Sequence, residues 1–209
     1  MPLDELRVHL IATATRVFAQ QDFNGATIDG IAREAAVTRA AVYELFKNKE
    51  ELFVAVSDEA GRRLTQAMHD GFRPGDDFTF RDFVRMNVAL LFDFIEQHPD
   101  EATIIRIVDR GTLGLAHNEF LVARHQIEDD VVMLYEGGFA RVGGISPEAA
   151  RLLALMTLAM VQAVGFRQTS EESWGTAATI DVLTDFLVGG LASLTRNRSS
   201  LDALHVLDT

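Results

Sequence analysis

Groups that can donate hydrogen bonds to an anion are concentrated between residues 38 and 49 of this chain. Lys47 and Lys49 are the only lysines in a sequence whose formal net charge is −12. Arg39 and Tyr43 precede them at a spacing of four residues, which places both side chains on one face of a helix. Ammonium and guanidinium groups bind phosphate oxygens through charge-assisted hydrogen bonds. These residue types therefore indicate a local phosphate site in an otherwise acidic protein.

Two short helices joined by a tight turn must position these groups. The first follows Thr27 and has an apolar face with residues spaced three and four apart. The members of that face are Ile28, Ile31, Ala32 and Ala35. The second follows Thr38 and covers residues 39–46, and Asn48 precedes a third helix that starts at Lys49. Because Thr and Asn side chains accept hydrogen bonds from first-turn N–H groups, these three residues are predicted N-caps.

The features of the second helix predict a helix-turn-helix arrangement that binds DNA. Its outward face is partly polar, its first residues are small enough to approach a groove, and its N-terminal N–H groups suit a phosphate. The same geometry also occurs as an ordinary packing unit, and Asp29, Glu34 and Glu44 weaken the attraction to DNA. Residues 1–50 carry six basic and seven acidic groups, against thirteen and twenty-four in the remainder. Only a local basic patch is therefore available.

Residues 7–53 resemble the DNA-binding domain of the TetR family of repressors. A helix over residues 6–20 leads through DFNGAT into the run IAREAAVTRAAVYELFKNKEELF, which matches the family in order and spacing. The resemblance implies an all-α fold with a three-helix helix-turn-helix DNA-binding domain at residues 1–48. A larger helical effector-binding and dimerisation domain is implied at residues 49–209. The implied partners are a double-stranded DNA operator, a second copy of the chain and a small hydrophobic effector.

The resemblance also assigns roles to individual residues of the motif. It places Thr27 at backbone phosphate, Thr38, Arg39 and Ala40 at the major groove, and Tyr43 and Lys49 at phosphate. The Arg39 guanidinium can bond bidentately to guanine O6 and N7, an interaction worth about 1–3 kcal/mol of discrimination. Arg39 is therefore the predicted base reader, and a phosphate contact is its alternative.

Four positions depart from the family pattern. Leu45 replaces a residue that is often polar, so one phosphate contact is expected to be missing. Glu44 replaces an aromatic or basic residue and is expected to be solvated or paired with Lys47, although a carboxylate can also accept from cytosine N4. Ala36 and Asp22 occupy turn positions that are commonly Gly. Positive φ angles there are predicted to be strained for Ala and tolerable for Asp.

Composition agrees with a helical protein that has a sizeable core. Apolar residues make up 48% of the chain, and there is no cysteine for a disulfide or a thiolate zinc site. The N-terminal residues MPLDELRVHL do not form a signal peptide, so the expected location is cytoplasmic. The apolar run at residues 152–166 is shorter than the ~20 residues that a membrane span needs. No membrane partner, cofactor or metal is expected.

Prolines at 74, 99 and 147 divide the remainder into helix-like segments. Helices are expected near residues 49–71, 79–97, 100–111, 117–141, 147–168 and 173–196. The last two of these helices are apolar on more than one face, which predicts a dimer interface; burial inside a monomer is the alternative.

Apolar side chains of this part of the chain could line an effector cavity or belong to the plain core. The candidate lining residues are Phe92, Phe120, Met156, Met160 and Trp174.

An enzyme is the rival class of protein, and the sequence gives it little support. The closest candidate for a paired ligand or base is His125 with Asp129, four residues apart, and both are expected to be surface groups. No glycine-rich phosphate loop, nucleophile elbow or Glu-x-x-His pair occurs. We therefore expect a homodimeric repressor that binds a palindromic operator and is released by the effector. A helical dimeric interaction protein without specific DNA binding is the alternative.

Overall fold

The structure is a computed structural model that describes residues 2–71, 79–109, 147–170 and 175–196. Every regular element in these ranges is a helix, so the predicted all-α fold is confirmed. The helices are α1 Leu3–Gly25, α2 Ile28–Glu34, α3 Arg39–Leu45, α4 Lys49–Gly71, α5 Phe80–Gln97, α6 Pro99–Asp109, α7 Pro147–Ser170 and α8 Thr176–Arg196. The helix expected at 117–141 lies outside the described residues.

Three phenylalanine rings form the centre of the first of two compact units, which includes described residues 2–64 and 98–109. The ring centroid of Phe53 in α4 lies 5.0 Å from that of Phe18 and 5.2 Å from that of Phe23. All three rings are buried. Edge-to-face aromatic pairs of this kind stabilise a core beyond the area that they bury. The cluster therefore fixes the end of α1 against α4, while α1 also packs on α2, α3 and α6.

Helix α5 is the central element of the second compact unit, which includes described residues 65–71, 79–97, 147–170 and 175–196. It packs against α7 and α8. A Cβ atom at Gly165 of α7 would lie 2.7 Å from Ile95 Cδ1 and 3.7 Å from Phe92 Cε2. Glycine therefore permits the close approach of α5 and α7. Two ion pairs, Arg81 with Asp185 and Arg85 with Asp181, join α5 to α8.

The helix bounds follow the sequence pattern closely where local signals exist. Thr79 and Asp82 form a reciprocal cap at the start of α5: the Thr79 N–H donates to Asp82 Oδ2 and the Asp82 N–H to Thr79 Oγ1. The Thr79 hydroxyl also donates to Asp82 Oδ2, and this bond, followed by the one from the Thr79 N–H, lowers the pKa of the Asp82 carboxyl. Among the helices that the structure describes, none combines the length and apolarity that a membrane crossing requires.

Candidate nucleic-acid interface

Both threonines that were predicted as caps start the helices of the helix-turn-helix unit. Thr27 Oγ1 accepts a hydrogen bond of 3.0 Å from the Gly30 N–H at the start of α2. Thr38 Oγ1 accepts one of 3.2 Å from the Ala41 N–H at the start of α3. The caps are therefore confirmed. They satisfy first-turn N–H groups that would otherwise lack a partner within their helices.

The turn between α2 and α3 has the backbone that the sequence predicted. Ala36 has φ 54°, and Asp22 at the kink in α1 has φ 58°. The Val37 N–H donates to the Ala32 carbonyl at 2.9 Å and the Ala36 N–H to the Arg33 carbonyl at 3.2 Å. This pair of bonds is the Schellman arrangement that ends a helix at a left-handed residue. Ala36 therefore occupies the position where glycine is usually preferred.

His9 supports the same turn from α1, which the sequence pattern did not indicate. Its Nε2 lies 2.9 Å from the carbonyl oxygen of Ala35, the residue that ends α2. The carbonyl can only accept, so this ring nitrogen carries the proton. Arg7, two residues earlier, lies over the buried Phe46 ring at 4.9 Å from its centroid. Both α1 side chains thus hold the unit that presents α3.

Helix α3 buries one side and exposes the other. Val42 is fully buried, whereas the side chains predicted to face DNA are exposed. The exposed residues of this face are Thr38, Arg39, Ala40, Tyr43 and Glu44. Leu45 is half-buried. The outward face therefore carries a cation, a phenol and small residues that suit a groove, together with the carboxylate of Glu44.

The Arg39 guanidinium is held between α2 and its own helix. Its Nη1 donates to Asp29 Oδ2 at 3.2 Å and lies 3.1 Å from Oδ1, while its Nη2 donates to the Tyr43 hydroxyl at 3.2 Å. The Arg39 Cζ also lies 5.3 Å from the centroid of the Tyr43 ring. The hydrogen bond to Tyr43, followed by the Asp29 charge, raises the pKa of Arg39 above its ordinary value. The partnership with Asp29 was missed because ten residues and a turn separate the two.

Lys49, which the resemblance assigns to phosphate, directs its ammonium group towards the end of α1. Its Nζ donates to the Phe23 carbonyl at 2.8 Å and to the Ala26 carbonyl at 3.0 Å. The same nitrogen lies 4.3 Å from the centroid of the Phe23 ring, a cation–π distance. Lys49 therefore joins the first turn of α4 to the α1–α2 connection.

Asn48 caps α4, as predicted. Its Oδ1 accepts a hydrogen bond of 2.7 Å from the Glu51 N–H. The Glu51 carboxylate in turn accepts one of 2.7 Å from the Lys47 N–H. This reciprocal pair fixes the entry of the chain into α4 and so the position of Lys49.

The predicted effector-lining residues do not form one group within the described structure. Phe92 is buried against Gly165 in the second unit, and Met160 is half-buried. Met156 of α7 is 50% exposed, so among the described residues it does not line an internal cavity. Phe120 and Trp174 lie outside the described residues. Hydrophobic spacing could not distinguish an outer face from a cavity wall.

Known proteins share both the motif and the fold. A family model described as "Bacterial regulatory proteins, tetR family" matches residues 10–56. The chain is 26% identical over 200 residues to the HTH-type transcriptional activator FasR of Mycolicibacterium smegmatis, a match that covers 95% of this chain and 89% of that protein.

Solved structures give the same answer for the fold. A TetR-family regulator from Streptomyces coelicolor has a TM-score of 0.77 at 17% identity, covering 98% of this chain and 88% of that chain. FadR from Bacillus subtilis, in complex with stearoyl-CoA, has a TM-score of 0.71 at 18% identity, covering 88% of this chain and 98% of that one. The fold and the exposed α3 define a helix-turn-helix transcriptional regulator. Residues 10–56 match the DNA-binding domain of the TetR family, and the described fold is similar to that of TetR-like regulators.

Proposed function

We propose that this protein is a ligand-responsive repressor that binds a palindromic operator as a homodimer and acts in the cytoplasm. The observation that supports it best is the α3 surface: a capped recognition helix exposes Arg39 and Tyr43 on a rigid helix-turn-helix unit. Residues 1–48 are the proposed DNA-binding domain, and residues 49–209 the proposed effector-binding and dimerisation domain.

The proposed DNA contacts divide into base reading and phosphate binding. Arg39 reads guanine in the major groove, where Thr38 and Ala40 are small enough to let the backbone approach. Thr27, Tyr43 and Lys49 contact phosphate and set the register of α3. The Tyr43 hydroxyl accepts from Arg39, which leaves its own O–H to donate to a phosphate. Two carbonyls accept from Lys49, which leaves one N–H of its ammonium for the same purpose.

The proposed dimer interface is an exposed apolar surface in the second compact unit. Leu152 and Met156 on α7 are 41% and 50% exposed, and Val182 and Phe186 on α8 are 68% and 65% exposed. Each pair is four residues apart, so each lies along one face of its helix. An apolar face of this kind is covered when two copies associate. A dimer would read two half-sites about 34–36 Å apart, or a multiple of that distance.

Release from DNA requires an effector whose affinity differs between the arrangement that binds the operator and the arrangement that does not. We propose a small hydrophobic molecule that prefers the arrangement in which the two DNA-binding domains no longer match the operator. Helix α4 belongs to both compact units and so gives a continuous chain connection between them. Stearoyl-CoA is the first compound to test, because the Bacillus subtilis protein of the same fold contains it.

Activation of transcription is the second candidate, since the Mycolicibacterium smegmatis relative that matches 95% of this chain is named an activator. A reporter placed behind the operator separates the two signs of regulation. Deletion of the regulator should raise expression if it represses, and lower expression if it activates. Adding the effector should reproduce the effect of the deletion if the effector releases the protein from DNA.

Binding to duplex DNA tests the core of the proposal. Duplexes should be drawn from the region upstream of the protein's own gene and from a random pool enriched by the protein. A specific complex should form, and its affinity should fall as salt rises, because counterions are released when cationic groups meet phosphates. The footprint should contain two half-sites in inverted orientation. Absence of a sequence-specific complex, or affinity that does not respond to salt, would contradict the proposal.

A further inference from the structure

Asp29 is an acidic residue on the side of the helix-turn-helix unit proposed to face DNA. It lies in the first turn of α2, and its side chain is 58% exposed, so it does not belong to the core. A carboxylate near the phosphate backbone opposes binding electrostatically. Its contact with Arg39 is therefore the feature of this residue that calls for a functional explanation.

Two groups restrain Arg39 from different directions. The Asp29 carboxylate meets Nη1, and the Tyr43 hydroxyl meets Nη2 from the following turn of α3. The guanidinium also lies near the Tyr43 ring. Further N–H groups of the fork remain available for a base edge. An arginine that is already held in one orientation loses less rotamer freedom when it binds than an unrestrained one.

The restraint affects cognate and non-cognate DNA differently. On any sequence, an unrestrained guanidinium can reach a backbone phosphate, and this contact carries no sequence information. The Asp29 carboxylate competes with phosphate for Arg39 and repels the phosphates themselves. A guanine in the right position, by contrast, can bond to the fork while Arg39 keeps its partners. Asp29 should therefore weaken non-specific binding more than it weakens specific binding.

We infer that Asp29 is a specificity-determining residue that positions Arg39 for base reading and withholds it from backbone phosphate. The inference rests on the proposed function, since it needs Arg39 to face the major groove. Its consequence is measurable as the ratio of affinities for a cognate and a scrambled duplex at one salt concentration.

Asp29→Asn removes the charge and keeps the size of the side chain. Binding to a scrambled duplex should tighten, binding to the selected duplex should change little, and the specificity ratio should fall about two- to fivefold, the size expected from one exposed ion pair. Glu34→Gln is the matched control, because it removes one negative charge at the other end of α2, where the carboxylate lies 3.7 Å from Arg16. Glu34→Gln should tighten binding to both duplexes by the same factor.

The Arg39→Ala background shows whether Asp29 acts through Arg39. In that background, Asp29→Asn should change the affinity for both duplexes by the same factor. The specificity ratio should therefore stay at the value of Arg39→Ala alone. Thermal unfolding of each variant checks that the fold is retained. The inference is overturned if Asp29→Asn leaves the specificity ratio unchanged. It is also overturned if Asp29→Asn lowers the ratio by the same factor in the Arg39→Ala background. In both cases the proposed function stands. A wild-type protein that does not prefer the selected duplex overturns both.

Discussion

The Lys49 ammonium lies 2.8 Å from the Phe23 carbonyl oxygen, and through this contact the first residue of α4 is joined to the end of α1. The Phe23 ring lies below the same nitrogen and packs on Phe53 of α4. One lysine thus donates to two carbonyls near the α1–α2 connection while its ammonium group lies over a ring of the aromatic cluster. A residue proposed to bind phosphate also holds the DNA-binding unit together.

Lys49→Met should therefore weaken folding as well as DNA binding. The partly buried Phe23 and Ala26 carbonyls would lose a charged donor, and a hydrogen bond to a charged group contributes about 1.5–3 kcal/mol. We expect a loss of about 2 kcal/mol in the free energy of unfolding, measured by urea denaturation. Lys47→Met is the control, because it removes the same charge from an exposed position. Equal stability of the two variants would exclude the structural role of Lys49.

Ala36→Gly should stabilise the protein. A non-glycine residue in the left-handed region destabilises the folded state by about 1–2 kcal/mol. Glycine in turn lowers stability by about 0.4–1 kcal/mol, because it increases the conformational entropy of the unfolded chain. The relief of backbone strain exceeds this entropic cost, so the free energy of unfolding should rise by about 0.5–1 kcal/mol. Ala35→Gly, at a residue with φ −74°, should instead destabilise the protein. A decrease in the melting temperature for Ala36→Gly would contradict this account of the turn.

The sequence predicted the features that depend on neighbouring residues. Thr27 and Thr38 cap helices through N–H groups three residues away, and the positive φ of Ala36 follows from the turn itself. The contacts of Arg39 with Asp29 and of Lys49 with Phe23 and Ala26 depend instead on the packing of separate elements. Their partners lie ten and twenty-three to twenty-six residues away, so spacing within one helix gives no sign of them. The exposure of Met156 was missed for the same reason.

Glu59 should make stability depend on pH in the acid range. Burial alone would raise the pKa of this carboxyl, but hydrogen bonds from Arg62 and Arg63 outweigh it and lower the pKa below its ordinary value. In the unfolded chain the Glu59 carboxyl has a pKa of about 4.3, so the unfolded chain binds this proton before the folded protein does as the pH falls. The stabilisation is full above that pKa and is lost as pH falls through the folded value.

Comparison of the wild type with Glu59→Gln isolates this contribution. At pH 7 the variant should lose about 0.5–1 kcal/mol of unfolding free energy, as expected for a partly exposed pair. The difference should shrink as the pH is lowered below about 4.3. Asp82→Asn, at the cap of α5, should show the same direction of pH dependence, because the Thr79 bonds also lower its pKa. A Glu59→Gln difference that grows towards low pH would contradict the assignment.

Arg63 should link α4 to α6 through Glu101. Its Nη1 donates to Glu101 Oε1 at 2.6 Å, and the Glu101 side chain is only 15% exposed. Both residues line a cleft of about 430 Å³ between α1, α4 and α6. Glu101→Gln should lower the free energy of unfolding by about 1 kcal/mol, since it removes the charge from a largely covered carboxylate whose partner, Arg63, is 44% exposed. Arg62→Gln, whose side chain is 64% exposed, should cost less. Denaturation curves that rank the two variants in the opposite order would count against the link.

Phe186→Lys should dissociate the proposed dimer. It places a charge in the middle of the apolar surface that Val182 and Phe186 form on α8, and that charge would lose its hydration on association. Sedimentation at micromolar concentration should give a dimer for the wild type and a monomer for the variant. The monomer should bind the selected duplex much more weakly, because one domain contacts a single half-site. Gln97→Lys is the control, since it adds the same charge at an exposed end of α5 and should leave the dimer intact. A wild type that sediments as a monomer, or a Phe186→Lys variant that remains dimeric, would show that this surface is not the interface.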